Sequence, residues 1–179
     1  MDFAVTYERK VRFSDSDAQG IVFNANYLTY FDDTITDYLE ATGIGWDGMT
    51  ERGVDMVLGR AEVDFRAAGQ IGDVLVTGAK VVEIGRTSVI FEMRTWDEAT
   101  GRTVAEGRLI QVMIDHRTHR PTPVPDWFVE AVEHLQRTPS RRRQSTQQPE
   151  TTPPGEGSSP TLGDTPPTPL DPGRLRPRG

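Results

Sequence analysis

From residue 3 to residue 13 apolar and polar positions alternate, with Phe3, Val5 and Tyr7 on one side and Ala4, Thr6 and Glu8 on the other. A period of two predicts a strand. The next stretch, Ser14-Asp15-Ser16-Asp17-Ala18-Gln19-Gly20, is small and polar and reads as a turn. At Tyr27 the period lengthens. Tyr27, Phe31, Ile35, Tyr38, Leu39 and Thr42 fall on one helical face, and Asp32, Asp33, Thr36, Asp37 and Glu40 fall on the other. Asn26 stands at the N-cap position and Gly43 at the position just past the helix end.

After a loop over 45–53 the period of two returns. Strands are predicted over 54–65, 73–83, 87–96 and 103–115, joined at 69–72, 85–86 and 97–101 by residues of hairpin type. Pro121, Pro123 and Pro125 then precede a short helix from Asp126 to about Gln136. No helix separates the later strands, so the sheet is expected to be antiparallel with one helix across it, an α+β fold. One helix covers one face and leaves the edge strands open. Pairing of edges between two copies is the expected remedy.

Composition divides the chain. Only 35% of its 179 residues are apolar, but three of those (Leu162, Leu170, Leu175) and ten of the thirteen prolines lie in 138–179. Residues 1–137 therefore read as one ordinary globular domain, and 138–179 as a disordered Pro-rich tail unable to bury a core. The domain carries 23 acidic and 14 basic side chains, a net −9, which disfavours nucleic acid as a partner. With no cysteine there is no thiol nucleophile, disulfide or Cys-ligated metal. The start, Met1-Asp2-Phe3-Ala4-Val5, lacks the basic and apolar regions of a signal peptide, and no apolar run spans a membrane. A cytoplasmic, soluble protein is expected.

The turn before the helix holds the candidate chemistry. Asp15 and Asp17 are followed by Gly20 and then by a helix start, whose unpaired N–H groups carry partial positive charge. Such donors can polarise a carbonyl while a nearby carboxylate attacks it or activates water. The same two aspartates also suit plain capping of the turn and helix, and spacing alone leaves both readings open.

The pattern Asp15, Asp17, Gly20, Ile21, Val22 and Tyr27, placed after a strand and opening a long helix, resembles the signature of the 4-hydroxybenzoyl-CoA thioesterase family. That family is a hot-dog-fold group of acyl-CoA thioesterases, in which a curved antiparallel sheet wraps one long central helix. The likeness continues through Val63-Asp64-Phe65, Gly72-Asp73-Val74-Leu75, Gly85-Arg86-Thr87-Ser88 and the closing prolines. It implies hydrolysis of an acyl-CoA thioester with Asp17 as the catalytic nucleophile or general base. It implies also that the Asn24 backbone N–H is the oxyanion donor, although relatives often have His or Tyr at that position. Gly20, Tyr27, Arg86 and Ser88 become substrate-binding candidates, with Arg86 on the CoA phosphates. No metal or other cofactor is implied, and the assembly is expected to be a homodimer or homotetramer. A non-catalytic acyl-CoA or acyl-carrier-protein binding module is the alternative, and the −9 domain disfavours an acidic carrier.

Other features read more plainly. His116 and His119 lie in a polar turn without a third ligand, and His134 has no partner. No Gly-x-Ser-x-Gly elbow occurs, which disfavours a serine hydrolase. Trp46 and Met49 could line an acyl pocket or simply join the core. The run Arg141-Arg142-Arg143 reads as a solvated linker.

Overall fold

The computed structural model describes residues 3–137 together with the backbone of 141–142. Two units make up the chain, Met1–Thr146 and Gln147–Gly179. The second, like most of the expected tail, lies outside the described residues. Within the first, strand β1 (Val5–Lys10) precedes a short 3₁₀ turn (Phe13–Asp15), helix α1 (Asn26–Ala41) and helix α2 (Gly45–Glu51). Strands β2 (Val54–Phe65), β3 (Val74–Ile84), β4 (Ser88–Asp97) and β5 (Thr103–Asp115) follow, and then helix α3 (Asp126–Gln136). The five strands form one antiparallel sheet in the order β1-β3-β4-β5-β2, as expected from the absence of crossover helices. At 141–142 the backbone pairs in parallel with Glu83 and Ile84 of β3.

Helix α1 lies on the sheet's inner face. It buries Tyr27, Tyr30, Phe31, Thr34, Ile35, Tyr38 and Leu39, a face that includes Tyr30 and Thr34 beyond the residues expected there. Thr34 is tolerated there because its hydroxyl donates to the Tyr30 carbonyl at 2.7 Å. Opposite, Gly107 of β5 makes room: a Cβ there would lie 2.5 Å from the Phe31 ring, so only glycine lets the helix approach this closely. Gly43 takes φ +78° just past α1, where the left-handed conformation was expected.

Four expectations change. The first strand starts at Val5, and Phe3 crosses to the outer face, where it stacks on Trp96 at 5.9 Å. The strand also stops at Lys10, because 13–15 turn tightly. Asn26 is not a cap but the first helical residue, with its side chain turned back to the preceding loop. The expected loop over 45–53 contains α2, a helix hidden from sequence by Gly45 and Gly48.

Helix α3 closes the sheet's end. The Gln136 side chain accepts from the Val81 N–H at 2.6 Å and donates to the Val81 carbonyl at 3.0 Å, and also accepts from the Tyr38 hydroxyl at 2.8 Å. It completes β3 beyond Ala79, where β1 has already ended. On the far side β2 is half bare: beyond Met56 nearly every residue is exposed, including Val57, Leu58 and Phe65.

Removing the Phe31 ring should lower stability in urea unfolding by about 3–5 kcal/mol. Gly107→Ala should cost about 1–3 kcal/mol, and combining it with Phe31→Leu should cost less than the sum of the two. A Gly107→Ala protein as stable as the wild type contradicts the close contact.

Candidate active site

The segment between β1 and α1 folds as a small hairpin held by its own backbone. Asp17 N–H donates to the Ile21 carbonyl at 2.9 Å, Gly20 N–H to the Asp17 carbonyl at 3.0 Å, and Ser16 and Val22 pair antiparallel. Gly20 adopts φ +75°, which the turn requires and a side chain would strain. Val22 N–H donates to the Gly69 carbonyl at 2.9 Å and Ile21 pairs with Gln70, so the hairpin leans on the connection between β2 and β3. Gly69 permits that contact, because a Cβ on it would stand 3.0 to 3.3 Å from Leu75, Val22 and the Tyr27 hydroxyl.

The two aspartates differ in setting. Asp17 is partly exposed. One of its carboxylate oxygens accepts the Gln19 N–H at 2.7 Å, and the other accepts no hydrogen bond among the described residues. Asp15 is 5% exposed. Its carboxylate accepts from the Arg9 guanidinium at 3.1 Å and the Arg12 N–H at 2.8 Å. Arg9 also stands 3.6 Å from Asp33 and over the Tyr30 ring at 5.0 Å. A buried acid with this degree of compensation is a structural tie rather than a free base.

Between the hairpin and α1, Phe23 N–H donates to the Asp15 carbonyl at 2.9 Å and Asn26 N–H to the Phe23 carbonyl at 2.9 Å. The N–H groups of Asn24 and Ala25, which lie between them, donate to nothing among the described residues. They are free donors at the positive end of a sixteen-residue helix. Asn24 itself is exposed. Asp17, Gly20, Asn24 and the N-terminus of α1 are thus brought together on one loop. Tyr27 is 3% exposed, edge-on to Tyr30 at 5.7 Å and to Phe65 at 5.5 Å, so it forms the floor beneath the loop.

Arg86 and Ser88 are not part of this group. The hairpin joins the sheet near Asp73 at the start of β3, through paired bonds with Val11. Arg86 and Ser88 flank the opposite end of that eleven-residue strand, roughly 30 Å away at about 3.3 Å per residue. Met49 is fully buried and joins the core, the plainer of its two readings, while Trp46 is half-buried with its indole N–H 3.4 Å from Thr36. His116 faces Asp55 at 3.7 Å. Among the described residues no group of three or more His, Cys, Asp or Glu side chains could hold a metal, and no helix is long and apolar enough to cross a membrane.

Residues 11–132, from the end of β1 through most of α3, match the family model of the thioesterase-like superfamily. The chain belongs to that superfamily. Its five-stranded sheet with α1 on the inner face is the hot-dog fold. Among its superfamily relatives is a 1,4-dihydroxy-2-naphthoyl-CoA hydrolase of Nostoc punctiforme, 29% identical over 131 residues, covering 72% of this chain and 86% of that protein. Another is the acyl-CoA thioesterase YbgC of Haemophilus influenzae, 26% identical over 95 residues, covering 52% of this chain and 70% of the other. A thioesterase from Thermus thermophilus, crystallised with coenzyme A and zinc, superposes with a TM-score of 0.68 at 30% identity, over 76% of this chain and 97% of that one.

Three residues that hold this candidate loop in place escaped the sequence reading: Arg9, Asn26 and Tyr30. Arg9 carried a signal, since it continues the inward register of Val5 and Tyr7 and an inward arginine needs a buried acid. Tyr30 carried none. Its hydroxyl is buried without a hydrogen-bond partner. Burial, reinforced by the Asp15 charge and opposed by Arg9, pushes its pKa up to about 12. An unfolded tyrosine ionises near pH ~10, so the stability tied to the neutral phenol is complete below that pH and is lost as pH rises from there through about 12. Melting temperature should therefore fall above pH ~10 less steeply in Tyr30→Phe than in the wild type. At neutral pH Tyr30→Phe should be neutral or stabilising by about 1 kcal/mol. A loss of several kcal/mol would show that the hydroxyl is in fact bonded.

Proposed function

We propose that this protein hydrolyses an acyl-CoA thioester to the free acid and CoA. The observation that carries the reading is the pair of free N–H groups at Asn24 and Ala25, next to the turn that bears Asp17. A thioester oxygen accepting from the Asn24 N–H gains negative charge in the tetrahedral transition state, where a fixed donor contributes most. Asp17 then acts in one of two ways. As nucleophile, its unbonded oxygen attacks the carbonyl carbon, CoA leaves as thiolate, and water cleaves the resulting anhydride. As general base, it takes a proton from water while that water attacks, and the thiolate leaves in the same manner. Thiolate is a good leaving group, so one carboxylate and backbone donors suffice without a cysteine or a full triad. The CoA esters in the relatives' names support this reading, and the pattern of Asp15, Asp17, Gly20 and Tyr27 favours the 4-hydroxybenzoyl-CoA branch.

The reading includes a second copy of the chain. Strand β2 is one edge of the sheet, and in its inward row Leu58, Ala61 and Phe65 stay exposed while Val63 is half-buried. Phe65 marks the Asp17 end of the sheet, through its contact with Tyr27. Val57 marks the Arg86 end, because it pairs with Val112, which pairs with Ser88. Antiparallel pairing of β2 with a second β2 exchanges the ends, and brings Arg86 and Ser88 of one copy toward Asp17 of the other. Arg86 then meets the CoA phosphates while Gly20 and the Tyr27 floor shape the thioester site.

Thiol release from short-chain, long-chain and aromatic acyl-CoAs, followed with a thiol reagent, tests the chemistry. At least one ester should turn over, and Asp17→Asn should lower kcat at least ~10²-fold. Binding of CoA esters without thiol release would establish the binding-module alternative, and an Asp17→Asn protein with full activity would remove Asp17 from the mechanism. Light scattering should give a mass of two or four chains; a mass of one chain contradicts the second copy.

A further inference from the structure

We infer that Asp15 is a positioning residue for the oxyanion donors, a role that rests on the thioesterase reading above and adds a residue to it. Its carboxylate is anchored on one side, by Arg9 at 3.1 Å and by the Arg12 N–H at 2.8 Å. Its carbonyl is bonded on the other, accepting from the Phe23 N–H at 2.9 Å and from the Asn26 side-chain amide at 2.8 Å. Phe23 and Asn26 bracket the two residues whose N–H groups are free. One buried residue thus ties the end of β1 to both sides of the donor segment, and Arg9 carries the tie on to Asp33 and Tyr30 of α1.

The arrangement explains why an acid is buried here at all. Asn24 and Ala25 are exposed residues, and their free N–H groups have no partner among the described residues to fix their direction. Their aim depends on the residues at either end, and both bond the Asp15 carbonyl, Phe23 through its backbone N–H and Asn26 through its side-chain amide. An oxyanion donor contributes only when it is already pointed at the developing charge. Misplacement by about 1 Å can cost about 10²-fold in rate. Substrate affinity draws instead on contacts with the CoA and acyl portions, which Asp15 does not touch. The carboxylate of Asp15 stays bonded throughout the reaction, and Asp17 is the group that reacts.

The test compares the full chain with three variants under identical conditions, using an acyl-CoA that the wild type turns over. Asp15→Asn keeps the shape but removes the charge that holds Arg9, and should lower kcat by about 10²-fold with KM within about threefold. Asn26→Ala removes one bond to the Asp15 carbonyl without creating a buried lone charge. It should lower kcat roughly tenfold, again with KM nearly constant. Asn26→Ala is the milder change, and it decides the matter if Asp15→Asn does not fold. Asp17→Asn is run alongside. Wild-type kcat in either folded variant, or a raised KM with kcat unchanged, overturns the inference. Loss of activity in Asp17→Asn combined with full activity in Asp15→Asn overturns the positioning role alone. A wild type that releases no thiol from any acyl-CoA overturns the thioesterase reading, and this role falls with it.

Discussion

A single helix about 10 Å across cannot cover a five-stranded sheet about 20 Å wide, and the rest of the molecule follows from that mismatch. Helix α1 is pressed onto the sheet at Gly107, where Phe31 occupies the space a side chain would take. From there it covers β1, β3 and β4 well and leaves the outer half of β2 bare. Helix α3 closes one end through Gln136, which supplies β3 with the hydrogen bonds that β1 is too short to give. Nothing among the described residues does the same for β2. An apolar strip at an open sheet edge is a surface that association with another copy would bury.

The position of α1 also creates the site. Its first residue is tied back to the preceding loop by the Asn26 side chain, so the helix begins without a side-chain cap. Just before that first turn, the N–H groups of Asn24 and Ala25 remain without an acceptor among the described residues. Two aspartates two residues apart take opposite parts in this arrangement. Asp15 turns inward and is neutralised by Arg9, while Asp17 remains partly exposed with one unbonded oxygen. In the proposed mechanism the same short motif holds a structural acid and a chemical one, and burial separates them.

Much of this was legible in the sequence. The change of period at Tyr27 and the four returning alternations marked α1 and strands β2 to β5 closely, because each element buries one face and exposes the other. What escaped was set by tertiary contacts. Helix α2 was hidden by two glycines in seven residues, and Phe3 left the inward row because Trp96 and Gly78 offered it a seat on the outer face. The motif's aspartates were visible, but their division of labour was not, since it depends on Arg9 and on the turn over 13–15. Arg86 lay in the expected hairpin, yet periodicity says nothing about which end of a sheet faces which loop. The strand register puts it at the opposite end of β3 from the Asp17 loop.

That separation leads to the central claim, that a complete site needs Asp17 from one copy and Arg86 from another. Subunit complementation measures it directly. Asp17→Asn and Arg86→Ala proteins are assayed separately for acyl-CoA hydrolysis, then unfolded together, refolded as a mixture and assayed again. Both parents should be impaired, and the mixture should exceed their average, because a mixed dimer carries one site with both lesions and one with neither. A mixture no more active than the average of its parents, or an Arg86→Ala protein with undiminished turnover, would contradict the account.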